Sequence, residues 1–553
     1  MNPTEPTIEP FIRYGSLPEN LPPVISPGGL WGHFSAYAGS YILTKDCVGQ
    51  GSPYDASKRG GQRRSFVLPH PAFIYEQAAF LTKHWKDIAP LFQRSPGSAS
   101  IPTFPLMGPR ATRITPHSEL PSIRLRTLSR YKFCLIADVS RCFPSIYTHS
   151  IPWAIHGKAA AKADTNSKSA NVFGNRLDAA LRQSQDRQTM GIAVGPDTSR
   201  ATAEIVLSAV DGLFLTNNAS ARSAYVRHVD DYWIGASTHE EAEGHLRRLR
   251  RALNEYELDI NELKTKIVRC DEVLGEAWPA DLEREIDRAL STNHWLSGQS
   301  SDPVATFGRI LETANRMNDD GVIRHVIKKI DDKKSWDNKW DVLEHFLAQC
   351  AIQFPHSLDY VSRVIAWRIR SGLEIDKKLW VEIFRSSILR AAGLGRDSEV
   401  IWSLWGLKEI KSKIPKALGE LIVQNNSPLV LAMMAHMYKN GLTSDASIAQ
   451  SLWDRVEGNT YSGSYWPLTL ELNHLEIANG SAVTASGAEP PLRALHDGKL
   501  SIFDWSAGPV VFKLPPGKKG KPKRAIEAYT SDYDDDSDYG YTPDYDLNDG
   551  IDI

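Results

Sequence analysis

Hydrophobic and polar positions change their rhythm several times along the chain. The first 60 residues hold no sustained period; their texture, SPGGLWGHFSAYAGSY, is rich in Gly, Pro and Ser and predicts irregular packing. A first helix is predicted after Pro71, where AFIYEQAAFLTKHWKDI spaces Phe73, Ala78 and Leu81 among polar positions. Residues 95 to 130 are polar and carry Arg110, Arg113, Arg124, Arg126 and Arg130. A short apolar run from Phe133 to Val139 then reads as a strand holding one carboxylate, Asp138. A second β-type stretch, AYVRHVDDYWIG, places Asp230 and Asp231 in its middle, where a tight hairpin would set them at its tip. HEEAEGHLRRLRRALNEYEL follows, with Leu246, Leu249 and Leu253 at helical spacing opposite a charged face.

From about residue 300 the period is helical. Leu343, Phe346, Leu347 and Cys350 follow the i, i+3, i+4, i+7 template, and Trp380, Ile383, Phe384 and Ile388 nearly do. Eleven of the fifteen tryptophans fall between Trp278 and Trp505. The reading is a large all-helical domain with an aromatic core; no repeat of fixed length stands out, and an irregular helical-repeat array is one form it can take.

Composition narrows the classes. With 553 residues, 42% hydrophobic and 24% charged, the chain has material for about three to four domains and a soluble surface. No run approaches the roughly 20 apolar residues of a membrane span, and Pro428 to Met434 reads as a packed helix. The opening MNPTEPTIEPFIRYGSL lacks a basic start followed by an apolar run, so a cytoplasmic protein without a secretory leader is expected. Cys47, Cys134, Cys142, Cys270 and Cys350 form no CxxC pair, which argues against a disulfide framework and a structural zinc. The net charge of -2 hides an asymmetry: residues 525 to 553 hold ten acids and no Lys or Arg, leaving 56 acids against 64 bases in a body of +8. Such a body is compatible with a nucleic-acid partner.

The three carboxylates are the informative chemistry. Asp138, and Asp230 with Asp231 92 positions later, sit on strands that read as core, where an uncompensated charge is costly. Basic side chains or a divalent cation must offset them. Acids without His or Cys suit a hard cation such as magnesium, held by oxygen and shared with phosphate. Two such ions can activate a 3′-hydroxyl and stabilise the leaving pyrophosphate.

Four segments in order then resemble the motifs of reverse transcriptases over roughly residues 65 to 270. IADVSRCFPSIYTHSIPWAIHGK resembles motif A, GIAVGPDTSRATAEIVL motif B, YVRHVDDYWIG the YxDD box of motif C, and LDINELKTKIV motif D. SIYTHSIPWAIHGK and GPDTS are similar, more narrowly, to the abortive-infection (Abi) and defence-associated reverse transcriptases of bacteria. The resemblance implies an α+β chain. An irregular segment over 1–64 would lead into right-hand fingers and palm over 65–275, with an antiparallel sheet and helices. A helical domain over 276–510 would replace a thumb, and 511–553 would be a basic linker with a disordered acidic tail. It further implies DNA synthesis from dNTPs in defence against phage, two magnesium ions (manganese as substitute), an RNA template or companion non-coding RNA, and a homo-oligomer.

The roles carried over are these. Asp138 and Asp230 would be the principal metal ligands, Asp231 a weaker ligand or electrostatic partner, and Val139 the donor of a main-chain carbonyl. Phe143 falls at the sugar gate, where an aromatic ring crowds a ribose 2′-hydroxyl. Gly195 lets backbone approach the incoming nucleotide. Lys264, with Lys266 as competitor, would face the pyrophosphate. Arg110 and Arg113 lie where fingers supply triphosphate contacts, with Arg124 and Arg126 equally placed and Gln188 a weaker candidate.

The departures matter too. His228 stands where the box usually has an aromatic, and is expected to pack in the hairpin; Val194, after Ala193, stands where motif B usually has Gln. Both leave room for template-independent synthesis primed on a protein hydroxyl, with the DNA product covalently attached. Tyr529, Tyr533, Tyr539, Tyr541 and Tyr545 of the tail are the candidate primers, and Tyr14, Tyr54 or Tyr147 would serve equally. A third reading is a non-catalytic RNA-binding scaffold. In the helical domain Lys328, Lys329, Lys333 and Lys334 are either a strand-holding patch or a solvated helix end.

Overall fold

Period-two burial builds the centre of the molecule. A computed structural model describes residues 5–105, 110–216, 218–273, 278–290, 302–333, 335–477 and 490–509. Within them, β3 (Phe133–Asp138) pairs antiparallel with β5 (Asp231–Ala236) and β6 (Lys266–Arg269), and β4 (Tyr225–His228) closes the order β4-β5-β3-β6. One face of this sheet carries Leu135, Ala137, Tyr232 and Ile234 into the main core, beneath helices Asp197–Leu215 and His239–Asn254. The other carries Cys134, Ile136, Val226 and Trp233, covered by Leu128 and Ile123 of helix Leu120–Leu128. Arg124 lies over the Trp233 ring at 5.0 Å. Asp138 and Asp231 share the parity of this second face and stand at its end, because side chains of a strand alternate in direction.

The N-terminal segment is more ordered than its texture predicts. It holds helix Ile8–Arg13 and, in β1 (Ser52–Ser57) and β2 (Arg63–Leu68), an antiparallel hairpin. A boundary between residues 64 and 65 would therefore cut through β2. The reason is tertiary: Ser52, Tyr54 and Ala56 of β1 turn inward, while partners for its outer edge come from helix Asp397–Ile410. The segment also meets the last described helices and the stretch after them. Ser26 N–H donates to Ile502 O at 2.6 Å, Asp504 N–H to Val24 O at 2.8 Å, and Trp466 Nε1 to Leu68 O at 3.0 Å.

The predicted first helix runs Pro71–Ile88. Beyond β6, helices continue from Trp278–Leu290 to Pro490–Asp497. Leu343, Phe346, Leu347 and Cys350 are buried in Trp340–Gln353, and Trp380, Ile383, Phe384 and Ile388 in Lys377–Ala392. Trp380 keeps its polar edge satisfied by donating to Glu344 Oε1 at 2.9 Å. Gly406 lets Lys377–Ala392 approach Asp397–Ile410, since a Cβ there would meet the Phe384 ring at 2.4 Å. Helix Pro428–Lys439 is buried from Pro428 through Met437. No helix among the described residues is long and apolar enough to cross a membrane. The acidic tail with its five tyrosines, and Lys334, lie outside the described residues.

Candidate active site

Three acids meet at the end of the palm sheet. Asp138 is the direct partner of Asp231 across β3 and β5, and Val139 N–H donates to Asp230 O at 3.1 Å. Asp230 belongs to the two-residue turn between β4 and β5, preceded by Val229 at φ 53°. A β-branched residue with positive φ is strained, and such strain persists only where the surroundings over-determine it. Here Ser100 Oγ accepts from Val229 N–H at 2.6 Å, and Val229 O accepts from Arg227 Nη1 at 3.1 Å.

Arg227 fixes the turn from behind. It is fully buried and donates to Glu204 (2.8 Å to each carboxylate oxygen) and to Asp211 Oδ2 (2.8 Å). Asp211 also accepts from Tyr232 Oη at 2.7 Å and from Ser95. Burial alone would push the guanidinium pKa down, but the two carboxylates raise it well above the usual value, so the charge is held.

In front of the turn the balance differs. Asp138, Asp230 and Asp231 are 4%, 8% and 2% exposed. Lys264 Nζ stands 3.4 Å from Asp138 Oδ2. The loop carrying it is pinned to β3: Asn261 N–H donates to Asp138 O and Ser140 N–H to Asp259 O, both at 2.8 Å. Oδ1 of Asp230 and Oδ1 of Asp231 are buried without a hydrogen-bond partner. Burial first, and then the neighbouring acids, push Asp230 up to about 6 and Asp231 well above the carboxylate range; Lys264 pulls both down. Orphaned, hard oxygen donors of this kind fit a divalent cation, which would reverse the rise. Among the described residues no group of three or more His, Cys, Asp or Glu side chains is arranged to hold a metal ion by itself. An open carboxylate set is what magnesium takes when phosphate oxygens complete its shell.

The remaining expected residues divide. Phe143 is buried, and its carbonyl accepts from Ile192 N–H at 2.9 Å, joining the segment after β3 to the one before helix Asp197–Leu215. Gly195 has φ 116°, and a Cβ there would meet Pro18 Cγ at 2.7 Å, so the N-terminal segment covers this glycine. Arg110 is turned inward: it donates to Asp197 Oδ1 (2.6 Å), Gly195 O (2.8 Å), Leu17 O (2.7 Å) and Tyr14 O (3.0 Å), and lies 3.3 Å from Glu19. This corrects its expected role as a triphosphate contact, because its donors are already committed to Asp197 and to three backbone carbonyls. Arg113 is exposed and its backbone pairs with Thr103. Gln188 is exposed in a turn, and Lys266 pairs with Ile136 in the sheet. His228 packs as expected: its Nε2 lies 2.9 Å from Thr115 O, which can only accept, and its ring meets His117 at 4.3 Å. Burial lowers it to about 3, so it is neutral near pH 7. Tyr54 is buried beneath the hairpin and Tyr147 packs 5.6 Å from Trp153. Lys329 pairs with Glu283 at 3.0 Å and Lys333 with Asp287, which favours structural partners over a strand-holding patch.

Sequence reasoning missed two sets of residues. Lys58 and Arg64, flanking the tip of the β1–β2 hairpin, act electrostatically on Asp231 and Asp230 respectively, lowering their pKa values. The Gly-Gly between basic runs in SKRGGQRRS is a hairpin signal that would have found them. Asp197, fully buried at the start of its helix, accepts from Ala111 and Thr112 N–H at 2.8 and 3.0 Å as well as from Arg110, and so organises the surrounding loops. Its place in GPDTS was the available signal.

A family likeness covers the part of the chain that holds the three acids. Residues 86–299 match the family model described as reverse transcriptase (RNA-dependent DNA polymerase). No curated protein matches the chain. Among solved structures, apo telomerase from Candida tropicalis truncated from its C-terminal domain matches at 12% identity and TM-score 0.29, covering 43% of this chain and 54% of that one. The chain thus spans about half the length of that structure. Full apo telomerase from the same organism matches at 10% identity and TM-score 0.31, covering 81% of this chain and 76% of that one. Telomerase from Candida albicans with the TWJ fragment of telomeric RNA matches at 10% identity and TM-score 0.25, covering 81% and 72%. Residues 86–299, which hold the three acids and the strands that carry them, are thus the part of the chain that is similar to reverse transcriptases.

Proposed function

We propose that this chain is a DNA polymerase that adds deoxynucleotides by two-metal nucleotidyl transfer at Asp138, Asp230 and Asp231. The observation that carries the reading is the pair of orphaned, buried carboxylate oxygens on Asp230 and Asp231, beside Asp138 and its lysine. In this reading Asp138, Asp230 and Asp231, with the Val139 carbonyl, hold the cations. Magnesium, when bound, supplies activation of the attacking hydroxyl and neutralisation of charge on the phosphates. The chain's own residues do the rest. Lys264 faces the leaving pyrophosphate as charge stabiliser or proton donor. Lys58 and Arg64, whose charges act on Asp231 and Asp230, join Arg113 in binding the triphosphate, the part first expected of Arg110 and Arg113. Phe143 crowds the 2′ position and selects deoxyribose.

The biological role proposed is defence against phage, resting on the likeness of SIYTHSIPWAIHGK and GPDTS to the Abi group. A second reading, untemplated synthesis on a protein hydroxyl, is favoured by one feature: Val194, where Gln would meet the nucleotide, packs partly buried against the core. One assay separates the readings. Purified protein receives each dNTP with and without RNA, and the products are digested with protease. A free product complementary to the RNA supports templated synthesis; a protease-sensitive DNA adduct formed without RNA supports the second reading. Equal phage protection by wild type and an Asp230→Ala, Asp231→Ala double variant would instead favour a non-catalytic, RNA-binding scaffold.

A further inference from the structure

Between the β1–β2 hairpin and the helical domain lies a cavity of about 310 Å³, and none of the three acids lines it. Asp397, the first residue of helix Asp397–Ile410, organises its polar wall. Oδ2 of Asp397 accepts from Asp55 N–H at 2.8 Å, and Oδ1 accepts from Asn426 Nδ2 at 3.1 Å and Ser427 N–H at 2.9 Å. The carboxylate fixes which way the Asn426 amide is turned, because only its nitrogen can donate to Asp397. Asn426 Oδ1 is left buried without a hydrogen-bond partner, and so is the hydroxyl oxygen of Tyr54. These two residues are 4% and 1% exposed, and both line the cavity. Burial, and then the charges of Asp397 and Glu399, keep the Tyr54 hydroxyl protonated, so it remains a donor. A folded chain leaves few buried polar groups unsatisfied, and two at one cavity call for a partner.

The lining selects the class of molecule. Pro53, Pro428 and Tyr465 offer apolar surface, and Tyr465 an aromatic ring. No Lys, Arg or His is among the described residues that line the cavity, so no cation there pairs with a phosphate. The unmet groups are an acceptor on Asn426 and a hydroxyl on Tyr54. A flat ring with an amino group beside a ring nitrogen answers all of these: it packs on the apolar wall, donates to Asn426 and accepts from Tyr54. We propose that this cavity is a second binding site, separate from the polymerase acids, for an amino-bearing nucleobase such as adenine or cytosine. The base arrives as a free nucleoside or as one residue of a single strand whose phosphates stay outside. The volume is at the small end of the ~300–1,000 Å³ of small-molecule sites, which suits one base with its sugar. Its walls come from β1 and from the starts of helices Asp397–Ile410 and Pro428–Lys439, so an occupant ties the N-terminal hairpin to the helical domain.

The test is calorimetric titration of the full chain with adenosine, cytidine, uridine and a four-nucleotide oligo(dA). The tighter of adenosine and cytidine binds about five- to tenfold more strongly than uridine, the scale of one hydrogen bond. Tyr54→Phe, which removes only the hydroxyl, weakens that binding by about three- to tenfold. Ser464→Phe, at a half-buried position of the lining, fills the cavity and abolishes binding. Affinity is the same in magnesium and in chelator, which separates this site from the three acids. Loss of nucleoside binding in Ser464→Phe identifies the free nucleoside as occupant; loss confined to the oligonucleotide identifies a base of a strand. Should Ser464→Phe fail to fold by circular dichroism, Tyr54→Phe decides alone. No binding of adenosine, cytidine or the oligonucleotide, equal binding of uridine, a requirement for magnesium, or affinity unmoved by Tyr54→Phe would overturn the site.

Discussion

Two groups of buried charges lie back to back around the β4–β5 turn, and they are built to opposite rules. Behind it, Arg227 meets Glu204 and Asp211 with every contact at 2.8 Å and Val229 O at 3.1 Å, and the tyrosine hydroxyl of Tyr232 joins them. In front, three acids face Lys264 at 3.4 Å, and two carboxylate oxygens have no partner. A folded chain tolerates an uncompensated buried carboxylate only when something else supplies the compensation. The rear group completes itself and serves to hold a strained turn. In the proposed reading the front group is completed by the cation it binds.

The comparison can be broken most forcefully by exchanging the fates of the two groups. Asp230→Asn lowers dNTP incorporation by about a thousandfold or more, the scale of removing a pre-organised electrostatic group, while Tm stays level or rises. Arg227→Met does the reverse in kind: it leaves buried acids unpaired and destabilises the fold by about 3–5 kcal/mol in a denaturant titration. A front group that proved essential for folding, or a rear group that could be deleted without loss of stability, would remove the distinction.

A second expectation concerns magnesium. At about a hundred times its dissociation constant a ligand specific for the folded state adds roughly 2.7 kcal/mol. Thermal melts should show this rise for wild type and a much smaller one for Asp230→Asn, Asp231→Asn.

Acidification sharpens the comparison further. His70 and His228 are lowered to about 3 by burial, so the unfolded chain, with imidazoles near 6.5, binds more protons. Their contribution is present above about pH 6.5 and is lost as pH falls, each by up to about 1.4 kcal/mol per unit. Asp230, raised to about 6, has the opposite sign in metal-free protein: it favours the fold at low pH and loses that contribution as pH rises from 3.8 through 6. Metal-free Asp230→Asn should therefore gain stability more steeply than wild type between pH 4 and 6 when its unfolding is followed by circular dichroism.

The smallest expected effect is at Val229. Val229→Gly relieves the positive φ and changes stability by about 1 kcal/mol or less, while the loosened turn lowers kcat.

The strands and the acids were readable because they depend on local pattern. An apolar run around one carboxylate, and a pair of acids inside a β-type stretch, come from alternation and spacing alone. The arginines were not readable in the same way. Arg110 and Arg64 are both in polar stretches, and only the fold shows that one is bound to Asp197 and backbone carbonyls while the other acts on Asp230. Arg227 did leave a trace, since a cation in the apolar run AYVRHVDD must find buried partners. The β1–β2 hairpin was hidden by its composition. SPYDAS has one large apolar residue, and its edge is satisfied by Asp397 and Ser398 some 340 residues away.

If the front acids are catalytic, incorporation depends on both Asp138 and magnesium. Incorporation of labelled dNTP by wild type and by Asp138→Asn, in magnesium and in chelator, tests it most directly. Incorporation by wild type in magnesium alone, with none from the variant, is the predicted result. Equal incorporation by both proteins, or incorporation that survives chelation, would contradict it.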